Sequence, residues 1–499
     1  MGIYERFFNE IASQLDLTST EEETIIKSYE SVGEFLRNSS FLSAYLPYVF
    51  PQGSMKIGTT VKPLKRDDYD VDLVCELTKN INDLSPKDVK KLVGKALKYG
   101  KYAEQLEEEH GRCWTLQYSA NPPYHLDILP GLTNVGGRIN ATKRDNSGKY
   151  DWLRTNPRGF ANWFLGLYKH NQIFDENNGV ESLDVYGTRN PLQRAVQLIK
   201  RHRDVYFQNR KEDGPASIII TALTGLSYKG ETTIEDILRN GPISWASFIK
   251  VSNDKYYIQI PSLADDNYAD KWNGEDEKAA TLFFEWHAKL LSDLDKLFSQ
   301  REFDSFLQIA RDMFCQSSVD KTLNENISIK STLLNSFGKR LPMALDVAHP
   351  LFKHALSIKA DKHEYIPRGN TTMKINGRVF ATKDDRCSND EDKCLNSFDH
   401  NSMLLKKNLF IRFSATITNC PKRYYLRWQV TNTGTEAKRA GNINLRGGFE
   451  NSENSMPRIK YEHTSYAGTH FVQAFLIDSN TDNCIAKSNI LTINIGGDL

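Results

Sequence analysis

The 499-residue chain lacks an excess of charge of either sign: 64 lysines and arginines stand against 63 aspartates and glutamates, a formal net charge of +1. A global field of the kind that holds nucleic acid without sequence preference is therefore excluded, and any basic surface has to be local. Cysteine is sparse too. The seven (Cys75, Cys113, Cys315, Cys387, Cys394, Cys420 and Cys484) are odd in number, scattered and without a Cys-x-x-Cys pair, which argues against a disulfide framework and for a reducing cytoplasm. Cys75 and Cys113 sit in apolar strand patterns and read as core thiols, while the irregular spacing of Cys387, Cys394, His400 and Cys420 does not make a zinc set. No apolar run approaches the ~20 residues of a membrane span, the N-terminus has no signal-peptide core, and Arg6 stands where a myristoylation motif has Ser or Thr. The expectation is a soluble, cytoplasmic protein with no membrane partner. No internal repeat is found.

What the chain does have is length for two to three domains and clear changes of period. Residues 3–40 read as two helices, with Ser19 and Glu22 as a capping box before Ile25, Ile26, Tyr29 and Phe35. Strands are predicted at Tyr48–Phe50, Tyr69–Leu77, Cys113–Tyr118 and around Asp127, with a lysine-rich helix from Pro86 to Lys101. From Asn156 to Ser336 the period is helical, in segments 160–168, 192–207, 216–226, 279–298 and 303–314. After residue 360 strands return, at 409–418, 424–431, 469–477 and 491–495, separated by turn-rich stretches, and residues 383–393 read as a polar loop. The expected fold is α+β: a small mixed sheet with helices on it over 1–155, a helical lobe over 156–340, a linker at 341–362 and an all-β sandwich over 363–499.

Chemistry is concentrated in the first of these units. Asp70 and Asp72 alternate with Val71 and Leu73, so on one strand both carboxylates share a face. If the strand Tyr124–Pro130 pairs beside it, Asp127 joins them. Three converging carboxylates suit two Mg²⁺ ions, with Mn²⁺ as the substitute, bridging a nucleoside triphosphate and an attacking hydroxyl. Gln52-Gly53-Ser54, just before the acidic strand, supplies a turn whose backbone N–H groups and hydroxyl can meet phosphate oxygens.

With Pro51-Gln52-Gly53-Ser54, Gly58-Thr59, Tyr69–Val74 and Leu126–Pro130 the chain resembles the CD-NTases, the cGAS/DncV-like nucleotidyltransferases that make cyclic oligonucleotide signals in bacterial anti-phage (CBASS) defence, which implies a polymerase-β-like nucleotidyltransferase core over 1–155. Further segments carry the resemblance to about residue 310: Asn156–Phe160, Leu192-Gln193-Arg194, Lys200–Asp204, Pro215–Ile219 and Asn267–Trp272. The tail, with Trp428–Gly434, Arg446-Gly447 and Glu462–His470, is similar to the adenylyl/guanylyl and SMODS C-terminal sensor domain.

The resemblance implies condensation of NTPs, ATP ahead of GTP, into a cyclic di- or trinucleotide with release of pyrophosphate, and a product-activated effector protein as partner. It implies that Lys200 and Ser217 contact the triphosphate; the plain alternative for Lys200 is a solvated surface lysine. Two departures matter. Ile218 follows Ser217 where several animal relatives carry a base-stacking aromatic, and there is no zinc-bearing insertion, so no obligate nucleic-acid activator is implied.

Other residues carry weaker expectations. Arg194, Arg201 and Arg203 read as salt-bridge or surface residues. Lys87, Lys90, Lys91, Lys95, Lys98 and Lys101 read as a solvated face rather than a nucleic-acid ligand. Trp428 and Tyr466 are expected in the sandwich core, with Arg446 and His470 as candidates for lining a nucleotide pocket there. The closing Gly496-Gly497-Asp498-Leu499 reads as a flexible terminus, or as a glycine pair suited to conjugation by a ubiquitin-transfer-like partner. A template-independent RNA or protein nucleotidyltransferase, toxins included, would use the same triad, and a catalytically dead nucleotide-binding scaffold is the non-enzymatic alternative.

Overall fold

The computed structural model describes residues 3–497 except 65–68, 110, 120–122, 146, 169–187, 211–212, 264, 275–277, 301, 339–362, 364, 388–390, 433, 441–445 and 454–455. The expected linker at 341–362 lies outside the described residues.

Helices α1 (Ile3–Ser13) and α2 (Ser19–Asn38) open the chain, followed by β1 (Pro47–Pro51), the single-turn α3 (Gly53–Lys56), β2 (Tyr69–Leu77) and α4 (Pro86–Lys98). The capping box on α2 lies one residue earlier than expected: Thr18 accepts from the Glu21 amide and the Glu21 side chain accepts from the Thr18 amide. Strands β3 (Trp114–Tyr118), β4 (Tyr124–Thr133), β5 (Ile139–Arg144) and β6 (Tyr150–Thr155) complete a six-stranded mixed sheet in the order β1-β2-β4-β5-β6, with β3 on the first half of β4. Strands β2 and β4 run parallel. Odd-numbered β2 residues, Val71, Leu73 and Cys75, are buried with Leu126 and Ile128 against Ile25, Tyr29 and Val32 of α2 and Val89 and Val93 of α4. That leaves the even-numbered face of β2 for the carboxylates.

The helical lobe follows: α5 (Pro157–Gly166), α6 (Pro191–Tyr206), α7 (Ser217–Ser227), α8 (Ile234–Asn240), the hairpin β7 (Ile249–Ser252) and β8 (Lys255–Ile258), α9 (Lys278–Ser299), α10 (Phe303–Phe314), α11 (Gln316–Glu325) and α12 (Ile327–Gly338). Its core holds the fully buried Trp245 and Trp286 and also takes in Tyr4, Phe7, Phe8 and Ile11 of α1. The first helix thus belongs by packing to this lobe, while α2 belongs to the sheet.

The tail is a β-sandwich. A four-stranded sheet contains β9 (Thr372–Phe380), β10 (Asn396–Phe398), β12 (Phe410–Thr418) and β15 (Ile459–His463); a six-stranded sheet contains β11 (Asn401–Leu405), β13 (Tyr424–Thr431), β14 (Arg446–Asn451), β16 (Gly468–Asp478), β17 (Cys484–Lys487) and β18 (Leu491–Ile495). Trp428 is fully buried between them with Phe413, Ile375 and Leu476. Tyr466, expected in that core, is half-exposed. His470 is buried, not pocket-lining: its Nε2 donates to the Tyr466 carbonyl at 2.7 Å, and burial pushes its pKa down to about 4. The Arg446 side chain lies outside the described residues.

The sandwich is docked on the helical lobe. Leu404 and Phe471 enter the lobe's own core, Lys406 reaches Asp254 at 3.2 Å, and Gly497 bridges Lys250 of β7. A Cβ at Gly496 would lie 3.0 Å from the Ile249 carbonyl oxygen, and one at Gly497 2.7 Å from that of Ser247. Gly496 is buried and Gly497 half-buried against this segment, where the absence of side chains lets two backbones approach. Asp498 and Leu499 lie outside the described residues. No helix among the described residues is long and apolar enough to cross a membrane.

Candidate active site

In the parallel ladder Asp70 is opposite His125 and Asp72 is opposite Asp127, so all four side chains project from one face of the sheet. Asp70 is exposed at the rim; Asp72, His125 and Asp127 are half-buried. His125 Nε2 stands 3.3 Å from Asp70 Oδ1, and Thr115 on β3 donates to Asp127 Oδ1 at 2.6 Å, fixing that carboxylate. Desolvation, reinforced by the charges of Asp70 and Asp127, holds the Asp72 carboxyl well above the usual carboxylate range, against the opposing pull of His125 and Lys200. A concentration of like charge with hard oxygen donors is what a divalent cation would neutralise, so the residues present fit such an ion. Among the described residues, one group of three or more potential ligands converges within metal-binding range: Asp70, His125 and Asp127, whose ligand atoms lie within 4.8 Å of one another.

Gly53 sits directly over Asp72. Its φ is +67°, and a Cβ there would stand 2.0 Å from Asp72 Oδ2. Glycine is needed at this position for both reasons. The Gln52 amide donates to the Asp72 carbonyl at 3.0 Å, tying the turn to the acidic strand, and Ser54 Oγ accepts from Thr60 at 3.3 Å.

From that turn a cleft of about 540 Å³ runs to the start of α7, lined by Ser54, Thr59, Asp70, Lys200, Arg203 and Ser217 among others. A larger cleft of about 680 Å³, lined by Tyr48, Glu76 and Arg158, lies toward the C-terminal end of β2, beyond the carboxylates, and contains none of them. Lys200 is buried, not a solvated lysine, and donates to the Thr59 carbonyl at 3.1 Å and its hydroxyl at 3.0 Å. Burial, with Arg203 adding to it, pushes its pKa down to about 7. Arg203 bonds Ser217 Oγ at 2.8 Å and pairs with Asp204 at 2.6 Å. Of the expected site residues, Ser54, Asp70, Lys200 and Ser217 line this cleft; Gly53 stands against Asp72, Asp72 and Asp127 share the sheet face of Asp70, and Gln52 bonds the Asp72 backbone.

Of the residues that brace the turn after Ser54, sequence reasoning assigned a site role to Lys200 alone. Four side chains leading into and along α6 bind four consecutive carbonyls of the turn after Ser54: Gln193 to Ile57, Arg189 to Gly58, Lys200 to Thr59 and Gln197 to Thr60. Arg189, Arg194 and Gln197 also converge on Asp16, at 3.1, 2.7 and 2.8 Å. Arg194 and Arg201 are accordingly buried, Arg201 donating to the Lys62 carbonyl; Arg203 lines the cleft. Their spacing on α6 was visible, but not their partners. His125 and Thr115 were missed because neither residue type signals a carboxylate neighbour. Cys113 proves half-buried and precedes β3 instead of lying in it. Lys90, expected on a solvated face, is fully buried and donates to the Cys113 carbonyl at 2.8 Å; Lys87, Lys91, Lys95 and Lys98 are exposed.

Residues 1–167 match the Second Messenger Oligonucleotide or Dinucleotide Synthetase domain, and residues 364–496 match the Adenylyl/Guanylyl and SMODS C-terminal sensor domain. The chain belongs to the CD-NTases. This CD-NTase is a nucleotidyltransferase of the cyclic-oligonucleotide synthase class, with a C-terminal sensor domain. Among its relatives, the c-di-GMP synthase of Roseivirga ehrenbergii is 28% identical over 272 residues, covering 52% of this chain and 71% of the relative. The cyclic dinucleotide synthase CdnG of Bradyrhizobium diazoefficiens is 25% identical over 254 residues, 46% of this chain and 60% of the relative. The solved structure of that organism's CdnG in complex with GTP superposes with a TM-score of 0.51 at 18% identity, over 64% of this chain and 96% of that one. That last likeness is one of fold.

Proposed function

We propose that this CD-NTase joins two purine nucleoside triphosphates into a cyclic dinucleotide at the site formed by Asp70, Asp72 and Asp127. The observation that carries the reading is the β2–β4 register, which sets Asp72 beside Asp127 under a glycine turn. The triphosphate lies along the cleft from Ser54 to Ser217, where the Gly53–Ser54 backbone, the N-terminus of α7, Lys200 and Arg203 meet its oxygens. Divalent ions bound by the carboxylates, Mg²⁺ or Mn²⁺, supply Lewis-acid activation and charge neutralisation when present. Asp127, fixed by Thr115, orients the attacking ribose hydroxyl. In-line attack on the α-phosphorus forms the new P–O bond as the hydroxyl's proton passes to Asp127, and the bond to pyrophosphate breaks with its charge met by Lys200 and Arg203. Because one such site serves both bond formations, the linear intermediate turns within it before ring closure.

Guanine is favoured over adenine as the base, reversing the sequence expectation; the name of the Roseivirga relative supports it. The product then acts on an effector protein in anti-phage defence, a role taken from the family. The decisive experiment incubates the purified protein with all four NTPs and Mg²⁺ or Mn²⁺, treats the products with phosphatase and identifies the survivors by mass spectrometry. A phosphatase-resistant cyclic dinucleotide is expected. Products only on an added RNA or protein would favour the template-independent transferase, and none at all the dead scaffold.

A further inference from the structure

His125 is the member of the cluster that a three-carboxylate site leaves without a task. It faces Asp70 across the β2–β4 ladder and precedes Asp127 by two residues, so its imidazole shares the sheet face of all three carboxylates. In an octahedral shell with bonds of about 2.1–2.2 Å, adjacent ligands stand about 3.1 Å apart and opposite ones about 4.3 Å. The 3.3 Å between His125 Nε2 and Asp70 Oδ1 matches the first of these. The 4.8 Å limit on the whole group leaves up to about half an ångström to close for an opposite ligand and up to about 1.7 Å for an adjacent one, within the reach of a side-chain torsion. Asp72 stands outside this group, its carboxylate turned under Gly53.

Building on the nucleotidyl-transfer reading above, we propose that one divalent ion of this site is held by Asp70, Asp127 and the imidazole nitrogen of His125. A nitrogen ligand tilts such a site away from Mg²⁺, which holds to oxygen and to its own waters, and toward Mn²⁺ and the later transition ions, whose preference for imidazole is greater. The chain thereby gains a metal selectivity that three carboxylates alone would not confer.

The test is direct observation of the bound ion in the full-length protein. Mn²⁺ is titrated with a non-hydrolysable GTP analogue present, bound and free ion are counted by electron paramagnetic resonance, and pulsed measurements look for coupling of the bound Mn²⁺ to ¹⁴N. The wild type is expected to show nitrogen coupling and to prefer Mn²⁺ over Mg²⁺ in competition. His125→Ala should lose the coupling and reduce that preference by about tenfold or more, chiefly through weaker Mn²⁺ binding, while keeping the wild-type circular dichroism spectrum. His125→Asp should restore tight binding with the preference moved toward Mg²⁺. Bound Mn²⁺ without nitrogen coupling in the wild type, or an unchanged preference in His125→Ala, overturns the inference and leaves His125 a hydrogen-bond partner of Asp70. That result leaves the nucleotidyl-transfer reading standing; a wild type that binds neither ion with nucleotide present overturns both.

Discussion

Gly53 is where two demands meet in one residue, a left-handed backbone and contact with the Asp72 carboxylate. Gly53→Ala should therefore cost about 1–2 kcal/mol of local backbone strain and displace Asp72 or the turn. Turnover is expected to fall by about a hundredfold, with the melting temperature nearly unchanged because α3 is only one turn long; steady-state kinetics beside a thermal melt checks this. Lys200 offers a test through pH. Its folded-state pKa of about 7 lies below the ordinary 10.5, so between those values the unfolded chain holds a proton that the folded one lacks. This group's contribution to stability therefore rises with pH from about 7 to 10.5, and its penalty is full below 7. Lys200→Met should gain stability relative to wild type at pH 6.5 and lose that advantage by pH 9.5, as urea titrations would show. A bound triphosphate raises the lysine's pKa, so binding at pH 8 should take up a proton, visible as a buffer-dependent calorimetric enthalpy that the Met variant lacks. The acidic residues and the glycine were legible in the sequence because their types are rarely placed in apolar strands without a reason. His125 was not, since an imidazole beside a carboxylate depends on which strand becomes the neighbour.

At the scale of elements, α6 is both a buried helix and the scaffold of the turn that follows Gly53-Ser54. The 16 residues from Pro191 to Tyr206 begin with a capping box, Asn190 with Gln193, and send Gln193, Gln197 and Lys200 to the carbonyls of residues 57, 60 and 59. Peptide carbonyls inside a protein need such partners, so the turn keeps its shape only while α6 stays seated. Asp16, between α1 and α2, anchors that helix through Arg189 and Arg194. Asp16→Ala removes the carboxylate that two buried guanidiniums share and should cost about 3 kcal/mol, with KM for the triphosphate rising more than kcat falls as the turn loosens; an unchanged KM at lowered stability would separate the two roles. Helices α5, α6, α7, α9 and α10 were readable from their period to within a few residues, as were β2 and β18, whereas α8, α11 and α12 were not singled out. The strands β14, β15 and β17 were not readable, because short segments such as Ile459–His463, with no alternation of burial, become strands through their neighbours and not through their own pattern; β9 was missed although its burial does alternate. The α6 clamp was hidden for a related reason: sequence shows Gln193 and Gln197 on a helix, but only the tertiary fold shows which carbonyls they face.

For the whole molecule, the question is whether the sandwich is an accessory or a part of the folding unit. Every residue assigned to the active site lies between Gln52 and Ser217, and among the described residues the cleft takes no lining from the tail. On that ground a chain cut before residue 363 retains the chemistry. Packing pulls the other way on stability: Leu404 and Phe471 are 8% and 3% exposed and share the core of the helical lobe, and burying a large apolar side chain contributes roughly 1.5–3 kcal/mol. Losing both removes about 3–6 kcal/mol from a lobe whose total is of order 5–15 kcal/mol. The truncated lobe should therefore melt at a markedly lower temperature than the full chain yet still condense NTPs when assayed cold, and the intact protein should unfold in one calorimetric transition. Phe471→Ala in the full chain is expected to divide that transition in two, because it weakens the dock without touching the sandwich's Trp428 core. A truncated lobe that is folded and monodisperse but inactive would make the sandwich part of the catalytic machine. Two transitions already in the wild type would instead make the dock too weak to carry a signal from the sensor domain to α7.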